Sequence, residues 1–339
     1  MKTPAYVMIT LLLPLVDVVA LAIPRTAPYP PPIEQPWKSG ATTVTISPDG
    51  VLRVSGEGAM EDYDAYTGNR PPWHSAMYYG VVPLITMGII EEGVTHIGDN
   101  TFFSISEVAD VTIPKSVFSI GERAFAGTGL TSVTIPNGVV SIGKSAFSGC
   151  TGLTSVTIPS SVTVIGEAAF SGCTGLTSVT IPSSLVTISG RTFWECTNLA
   201  LVTIEDGVTA IGEGAFGGCT SLTSVTIPNS VISIGASAFH GSGLTSVTIP
   251  NSVTHIGALA FSWCIGLKSV TFQKNSMISV IEYGVFDNCT SLTSIKFEDK
   301  MALSSLWFAM GIIAALVLSE TIFVVIKRRL IKPFRQGSI

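Results

Sequence analysis

The stretch Leu153-Thr154-Ser155-Val156-Thr157-Ile158-Pro159-Ser160-Ser161-Val162-Thr163-Val164-Ile165-Gly166-Glu167-Ala168-Ala169-Phe170-Ser171-Gly172-Cys173 decides the fold of this 339-residue chain. Val156 and Ile158 alternate with Thr157, so a short strand points two apolar side chains inward and one threonine outward. Pro159 ends that strand, because it has no N–H to give a ladder. Val162 and Ile165 fill the core on the return path, and Gly166 permits a tight bend. Ala169-Phe170 is expected to begin a short helical or irregular turn that leads to Cys173.

The same phrase recurs on both sides. Phenylalanine returns at Phe102, Phe125, Phe147, Phe170, Phe193, Phe216, Phe239, Phe261 and Phe286, with spacings of 22 or 23 residues and a last one of 25. A period in the twenties, with apolar residues at constant phase, marks a solenoid whose units cannot bury their apolar faces alone. Two units are short, at Gly127-Thr128-Gly129 and Gly241-Ser242-Gly243, and the missing residue reads as the cysteine. Losing one residue at the same place twice marks a turn on the outside of the coil. Stacked coils pair their strands in parallel, which requires right-handed coiling.

The phrases L-T-S-V-T-I-P, S-V-x-x-I-G and A-F-x-G-C resemble the leucine-rich repeats of the BspA-like type over roughly residues 88–300. The fold class expected is an α/β solenoid of 22–23-residue leucine-rich repeats with a parallel β-sheet. Residues 41–87 are similar to the non-repeat segment that commonly precedes such repeats; Thr42 to Ser55 reads as a hairpin turning at Ser47-Pro48-Asp49-Gly50. That segment would cap the first coil, which otherwise exposes a raw edge. Some units depart from the pattern: Glu91-Glu92-Gly93 and Glu205-Asp206-Gly207 replace the Pro-Ser/Asn-Ser phrase, and Gln273 to Met277 adds residues. Lys296 and Glu298 would blunt the terminal edge. The resemblance implies a surface protein that engages matrix proteins such as fibronectin and fibrinogen, or neighbouring cells.

Both ends read as targeting sequence. Residues 1–22 have a basic Lys2, an apolar stretch from Val7 to Val19, and Ala20-Leu21-Ala22 as a signal-peptide cleavage site. Residues 23–40 carry six prolines and read as an extended spacer. Ala302 to Ile326 is a 25-residue apolar run broken by one charge, Glu320. At ~1.5 Å per residue it reaches about 37 Å, enough for a transmembrane helix across a core of ~30 Å. Lys327-Arg328-Arg329 follows, and this basic excess places the tail, residues 327–339, in the cytoplasm. The expected product is a single-pass cell-surface protein with its repeats outside. Gly311, Ala315 and Ser319 form a small-residue stripe, a feature compatible with homo-oligomers and equally common in spanning helices generally.

Composition narrows the partners. Without Lys2, Asp17, Glu320 and the five basic tail residues, 12 Lys/Arg face 21 Asp/Glu, a net of about −9. An acidic body disfavours nucleic acid, since phosphate neutralisation needs clustered Lys/Arg. The six cysteines, Cys150, Cys173, Cys196, Cys219, Cys264 and Cys289, share one repeat phase. They read either as small buried hydrophobes or as three adjacent disulfides, 150–173, 196–219 and 264–289. His74, His96, His240 and His255 are scattered, and no C-x-x-C, H-E-x-x-H or phosphate-loop motif occurs. No enzyme, metal or cofactor is expected.

The repeat does present an outward ladder. Thr112, Thr134, Thr157, Thr180, Thr203, Thr226, Thr248 and Thr271 hold one strand position in successive coils. Beside them run Ser132, Ser155, Ser178, Ser224, Ser246 and Ser269, then Ser294, with Leu201 interrupting. Threonine suits any exposed strand. Read functionally, the ladder is a binding face about 40 Å long, from nine strands at ~4.8 Å. It would suit an extracellular matrix or cell-surface protein, with a self-associating coat or an ice-binding array as alternatives.

Overall fold

The computed structural model describes residues 35–298 apart from 65–68, 79 and 81. The signal segment 1–22, most of the proline-rich spacer, the apolar run 302–326 and the tail 327–339 lie outside the described residues. Among those described, no helix is long and apolar enough to cross a membrane.

Each repeat is one coil of a parallel β-solenoid. Its first strand, Ser155–Thr157 in the quoted unit, pairs in register with Ser132–Thr134 before it and with Ser178–Ile181 after it. The return path carries a second strand, Val164–Ile165, paired in parallel with Ser141–Ile142. The solenoid therefore has two faces of parallel strands, each divided into separate sheets, where the sequence pattern shows only one strand per coil.

Leu153, Val156, Ile158, Val162, Ile165, Phe170 and Cys173 are all buried, and their equivalents form columns along the coil axis. The phenylalanine column is continuous from Phe102 to Phe286. Neighbouring rings stack with centroids 5.2–5.7 Å apart and planes within 16° of parallel. One ring in one coil has almost no core of its own; the column supplies it, which is why the units stand only together.

The turn before the cysteine is not helical, which corrects the α/β expectation. A helix would send each N–H to the carbonyl four residues back. Here Ser145, Phe147 and Gly149 donate instead to the next coil's Glu167, Ala169 and Ser171 carbonyls, at 2.7–2.9 Å. Two left-handed positions per coil aim the chain this way: Ala168 at φ 57° and Gly172 at φ 71° in the quoted unit. The first of these columns is mostly non-glycine, with Asn100, Arg123, Ser145, Arg191, Ser237 and Leu259 all at positive φ. Inter-coil hydrogen bonding outweighs a local cost of roughly 1–2 kcal/mol per residue. Among the described residues the one α-helix, Pro72–Tyr78, lies in the capping segment.

The short coils also need correcting. Thr128 and Ser242 occupy the cysteine position: Thr128 Oγ1 lies 3.3 Å from Cys150 Sγ, and Ser242 Oγ 3.2 Å from Cys264 Sγ. The residue lost is the one after it, equivalent to exposed Thr151. In full-length coils that residue only closes a tight turn, as Thr151 N–H donates to Gly149 O at 2.8 Å. A residue that buries nothing can be deleted.

Upstream, strands Trp37–Ser39, Thr42–Ile46 and Val51–Gly56 form an antiparallel unit, turned by a hydrogen bond from Gly50 N–H to Ser47 O of 2.9 Å. Val51–Gly56 then pairs in parallel with Met87–Ile90, so the unit covers the edge of the first sheet. The short helix brings Trp73 into contact with Trp37 and Tyr63. Trp73 Nε1 donates to Thr101 O at 2.9 Å, and His74 Nε2 lies 3.3 Å from the same carbonyl.

Candidate functional site

The Ser/Thr ladder sits where strand alternation puts it. Thr134, Thr157, Thr180, Thr203, Thr226 and Thr248 are exposed, as is Thr112, and Thr271 is half-buried. Ser132, Ser155, Ser224 and Ser246 are exposed; Ser178, Ser269 and Ser294 are half-buried. Leu201 breaks the serine row with a side chain 62% exposed.

The ladder is not one nine-stranded sheet, however. One sheet ends at Asp110–Thr112, a second spans Ser132–Thr134 to Leu201–Ile204, and a third begins at Ser246–Ile249. Ser224-Val225-Thr226-Ile227 forms no strand, and Val225 is only half-buried where its equivalents are buried. The two strands that follow the one-residue deletions, Ser132–Thr134 and Ser246–Ile249, each begin a new sheet. A backbone bond still crosses each junction, from Thr131 N–H to Ala109 O at 3.3 Å and from Thr245 N–H to Thr223 O at 3.0 Å.

A second outward face carries different chemistry. On the return-path sheet, Phe118, Val140, Val186 and Ile232 share one coil position and Val164 lies beside it, all 46–60% exposed. Between them Thr163, Thr209 and Thr254 turn their hydroxyls back to Val140, Val186 and Ile232 carbonyls, at 3.1–3.4 Å. The result is a mixed apolar and threonine strip along this face of the coils. Reasoning from the sequence missed it. The signal was an apolar residue directly after each inward Val or Leu, which a two-residue alternation cannot bury.

This second sheet is also interrupted, between Val164–Ile165 and Thr187–Ile188. Most coils place glycine after the buried Ile, and its N–H donates to the preceding coil, as Gly166 does to Ile142 O at 2.8 Å. A Cβ at Gly166 would lie 2.4 Å from Lys144 N. Ser189 stands at this position in the interrupted coil, and its hydroxyl donates to Ile165 O.

The six cysteines are free and buried. Each thiol donates to the phenylalanine carbonyl of the preceding coil, as Cys173 Sγ does to Phe147 O at 3.1 Å. Burial raises the Cys150, Cys173, Cys196 and Cys219 thiols, Cys196 to about 12, while the hydrogen bond with Cys289 lowers Cys264. The column is a packing device that also satisfies a turn carbonyl.

The histidines are held separately. His240 Nδ1 lies 2.7 Å from Ser262 Oγ, and its ring stacks across Gly217 on Trp194, with centroids 6.3 Å apart. His255 pairs with Glu282 at 3.0 Å, and His96 with Asp62 at 2.9 Å. Burial lowers His74 to about 4, opposed by its contact with Thr101 O and assisted by the charge of Arg70. Around His96, burial works against the Asp62 carboxylate, but hydrogen bonds from His96 and the Asp99 N–H outweigh it and hold the carboxyl below its usual range. Asp99 is raised by burial, against the Glu122 N–H, with Asp62 and Glu122 adding like charge.

A family model described as BspA type leucine-rich repeat region matches residues 75–200 and 186–309, in 6 copies. No curated protein matches the chain. Among solved structures, a leucine-rich repeat protein from Bacteroides ovatus is 26% identical, with a TM-score of 0.52, covering 77% of this chain and 76% of the other. One from Eubacterium ventriosum is 22% identical, with a TM-score of 0.48, covering 76% and 83%. A leucine-rich cell surface protein from Faecalibacterium prausnitzii is 21% identical, with a TM-score of 0.44, covering 81% and 97%.

Proposed function

The chain belongs to the family of BspA-type leucine-rich-repeat proteins, and on that premise we propose that it is a cell-surface recognition protein which binds an extracellular matrix or cell-surface protein. The observation that carries this reading is the uncharged outward row of strand threonines on a rigid stack of coils. A stack held by core columns and inter-coil hydrogen bonds holds these side chains in place, most regularly from Thr134 to Thr203, with little entropy left to lose on binding. The apolar run 302–326 with its following Lys327-Arg328-Arg329 supports a membrane anchor whose repeats face outward. Residues 1–22 support export by the same logic.

The test is binding by the full-length chain, displayed on cells, to immobilised matrix proteins and to cell monolayers. Saturable binding should fall at least tenfold when Thr134, Thr157, Thr180 and Thr203 are all changed to Glu. Equal binding by the changed face would sink the proposal that this face makes the contact.

The apolar strip favours a second reading, self-association. Five apolar side chains about half exposed recur along this sheet, interspersed with threonines, and exposed apolar residues concentrated on one face mark an interaction site. Concentration-dependent assembly by light scattering, abolished by Val140→Thr with Val186→Thr and Ile232→Thr, would favour a coat-like role. An ice-binding array is disfavoured, because lattice matching needs a regular threonine row and the strand is lost at Ser224–Ile227.

A further inference from the structure

Three side chains that no function above uses meet where the capping segment joins the first coil. Asp62 comes from the cap, His96 from strand Val94–Ile97, and Asp99 from the bend after it. One ligand atom from each lies within 4.8 Å of the other two. No other group of three such side chains converges among the described residues.

The hydrogen bonding orients the three. His96 Nδ1 lies 2.7 Å from Ser119 Oγ, which fixes the ring and turns Nε2 to within 2.9 Å of Asp62 Oδ1. Asp62 Oδ1 also accepts the Asp99 N–H at 2.9 Å, and Asp99 Oδ1 accepts the Glu122 N–H. Every one of these bonds to the two carboxylates uses the Oδ1 atom. The Oδ2 atom of each has no donor among the described residues. Asp62 is exposed and Asp99 half-buried, so both carboxylates are open to an incoming cation. One residue from Asp99, Asn100 Oδ1 is buried with no hydrogen-bond partner among the described residues, and a buried oxygen calls for a donor or a cation.

We propose that Asp62, His96 and Asp99 form a binding site for a divalent first-row transition cation, which ties the capping segment to the first coil. One imidazole and two carboxylates suit Zn²⁺ or a neighbouring ion better than Ca²⁺, which takes six to eight oxygens. Cation–ligand distances of ~2.0–2.2 Å put ligand atoms roughly 3.3–4.2 Å apart, so small side-chain movements close the site. Ser119 serves as the outer partner that metal-binding histidines ordinarily have. His255 provides the internal contrast. It holds the same repeat phase and pairs with Glu282, but no second carboxylate completes a group there.

The experiment is calorimetric titration of ZnCl₂, and separately CaCl₂, into the full-length chain after EDTA treatment and dialysis. Expected is one Zn²⁺ site that raises the thermal midpoint. His96→Gln and Asp62→Asn should each weaken Zn²⁺ binding more than tenfold, and His255→Gln should leave it unchanged. Circular dichroism without metal checks that each variant folds. Should His96→Gln not fold, Asp62→Asn, which keeps the acceptor for the Asp99 N–H, decides alone. Absence of Zn²⁺ binding, affinity indifferent to both substitutions, or tighter Ca²⁺ binding that ignores His96 would overturn the proposal.

Discussion

Trp194 occupies the space that a side chain at position 217 would need: a Cβ on Gly217 would lie 2.2 Å from its Cζ3. The two residues are one coil apart at the same phase, so the indole of one coil lies on the bare backbone of the next. Gly217 is buried with an ordinary negative φ, so its identity follows from packing and not from backbone conformation. Gly217→Ala should therefore destabilise the fold by about 1–3 kcal/mol through overpacking. Thermal unfolding should recover most of that loss when Trp194→Ala is added. Independent, additive losses would contradict the contact.

The phenylalanine column predicts a graded cost along the solenoid. Phe170 is fully buried between two stacked neighbours, and Phe170→Ala should cost about 3–5 kcal/mol. Phe286 ends the column and is slightly exposed, so Phe286→Ala should cost less. Denaturant midpoints of the two variants, compared with the parent, check the order.

Thiol chemistry follows from burial. With all six cysteines buried, and Cys150, Cys173, Cys196 and Cys219 also raised, Ellman's reagent at pH 8 should find no rapidly reacting thiol in the native chain. In guanidinium all six should titrate. A disulfide in the native protein would appear as two thiols missing after unfolding without reductant.

His74 predicts acid sensitivity of the cap. Burial lowers its folded pKa from the ordinary 6.5 to about 4, so the unfolded chain takes up the proton first as pH falls. Its stabilising contribution is full above pH 6.5 and is lost on acidification between 6.5 and about 4, up to on the order of 3 kcal/mol. His74→Gln should flatten that part of the pH profile of the thermal midpoint. An unchanged slope would assign the acid sensitivity to another group.

The columns of Leu, Val, Ile and Phe were legible because a solenoid repeats its sequence at the period of its coil, and burial repeats with it. The turn before the cysteine was not. Ala168-Ala169 are good helix formers, and nothing local reveals that the Ala168 and Phe170 N–H groups are taken by the next coil 22 residues on. The identity of the deleted residue was misread for a related reason. Aligned on letters, Thr128 differs from cysteine; placed in space, it sits in the same buried column, against the Cys150 thiol, although its hydroxyl donates to Phe125 O of its own coil and the Cys150 thiol to that same carbonyl from the next coil.

The candidate faces divide in the same way. Strand alternation alone turned the threonines outward, since a two-residue period leaves no other place for them. Their interruption at Val225, the apolar strip from Phe118 to Ile232, and the meeting of Asp62 with His96 depend on how one coil lies against another. By itself the sequence determined the repeat, the strand and its inward and outward faces, because those are set by neighbours along the chain. Tertiary structure decided the second sheet, the non-helical turn, the breaks in both sheets and the cluster at the cap. Each of these rests on hydrogen bonds or contacts between residues more than twenty positions apart, whose geometry no local pattern encodes.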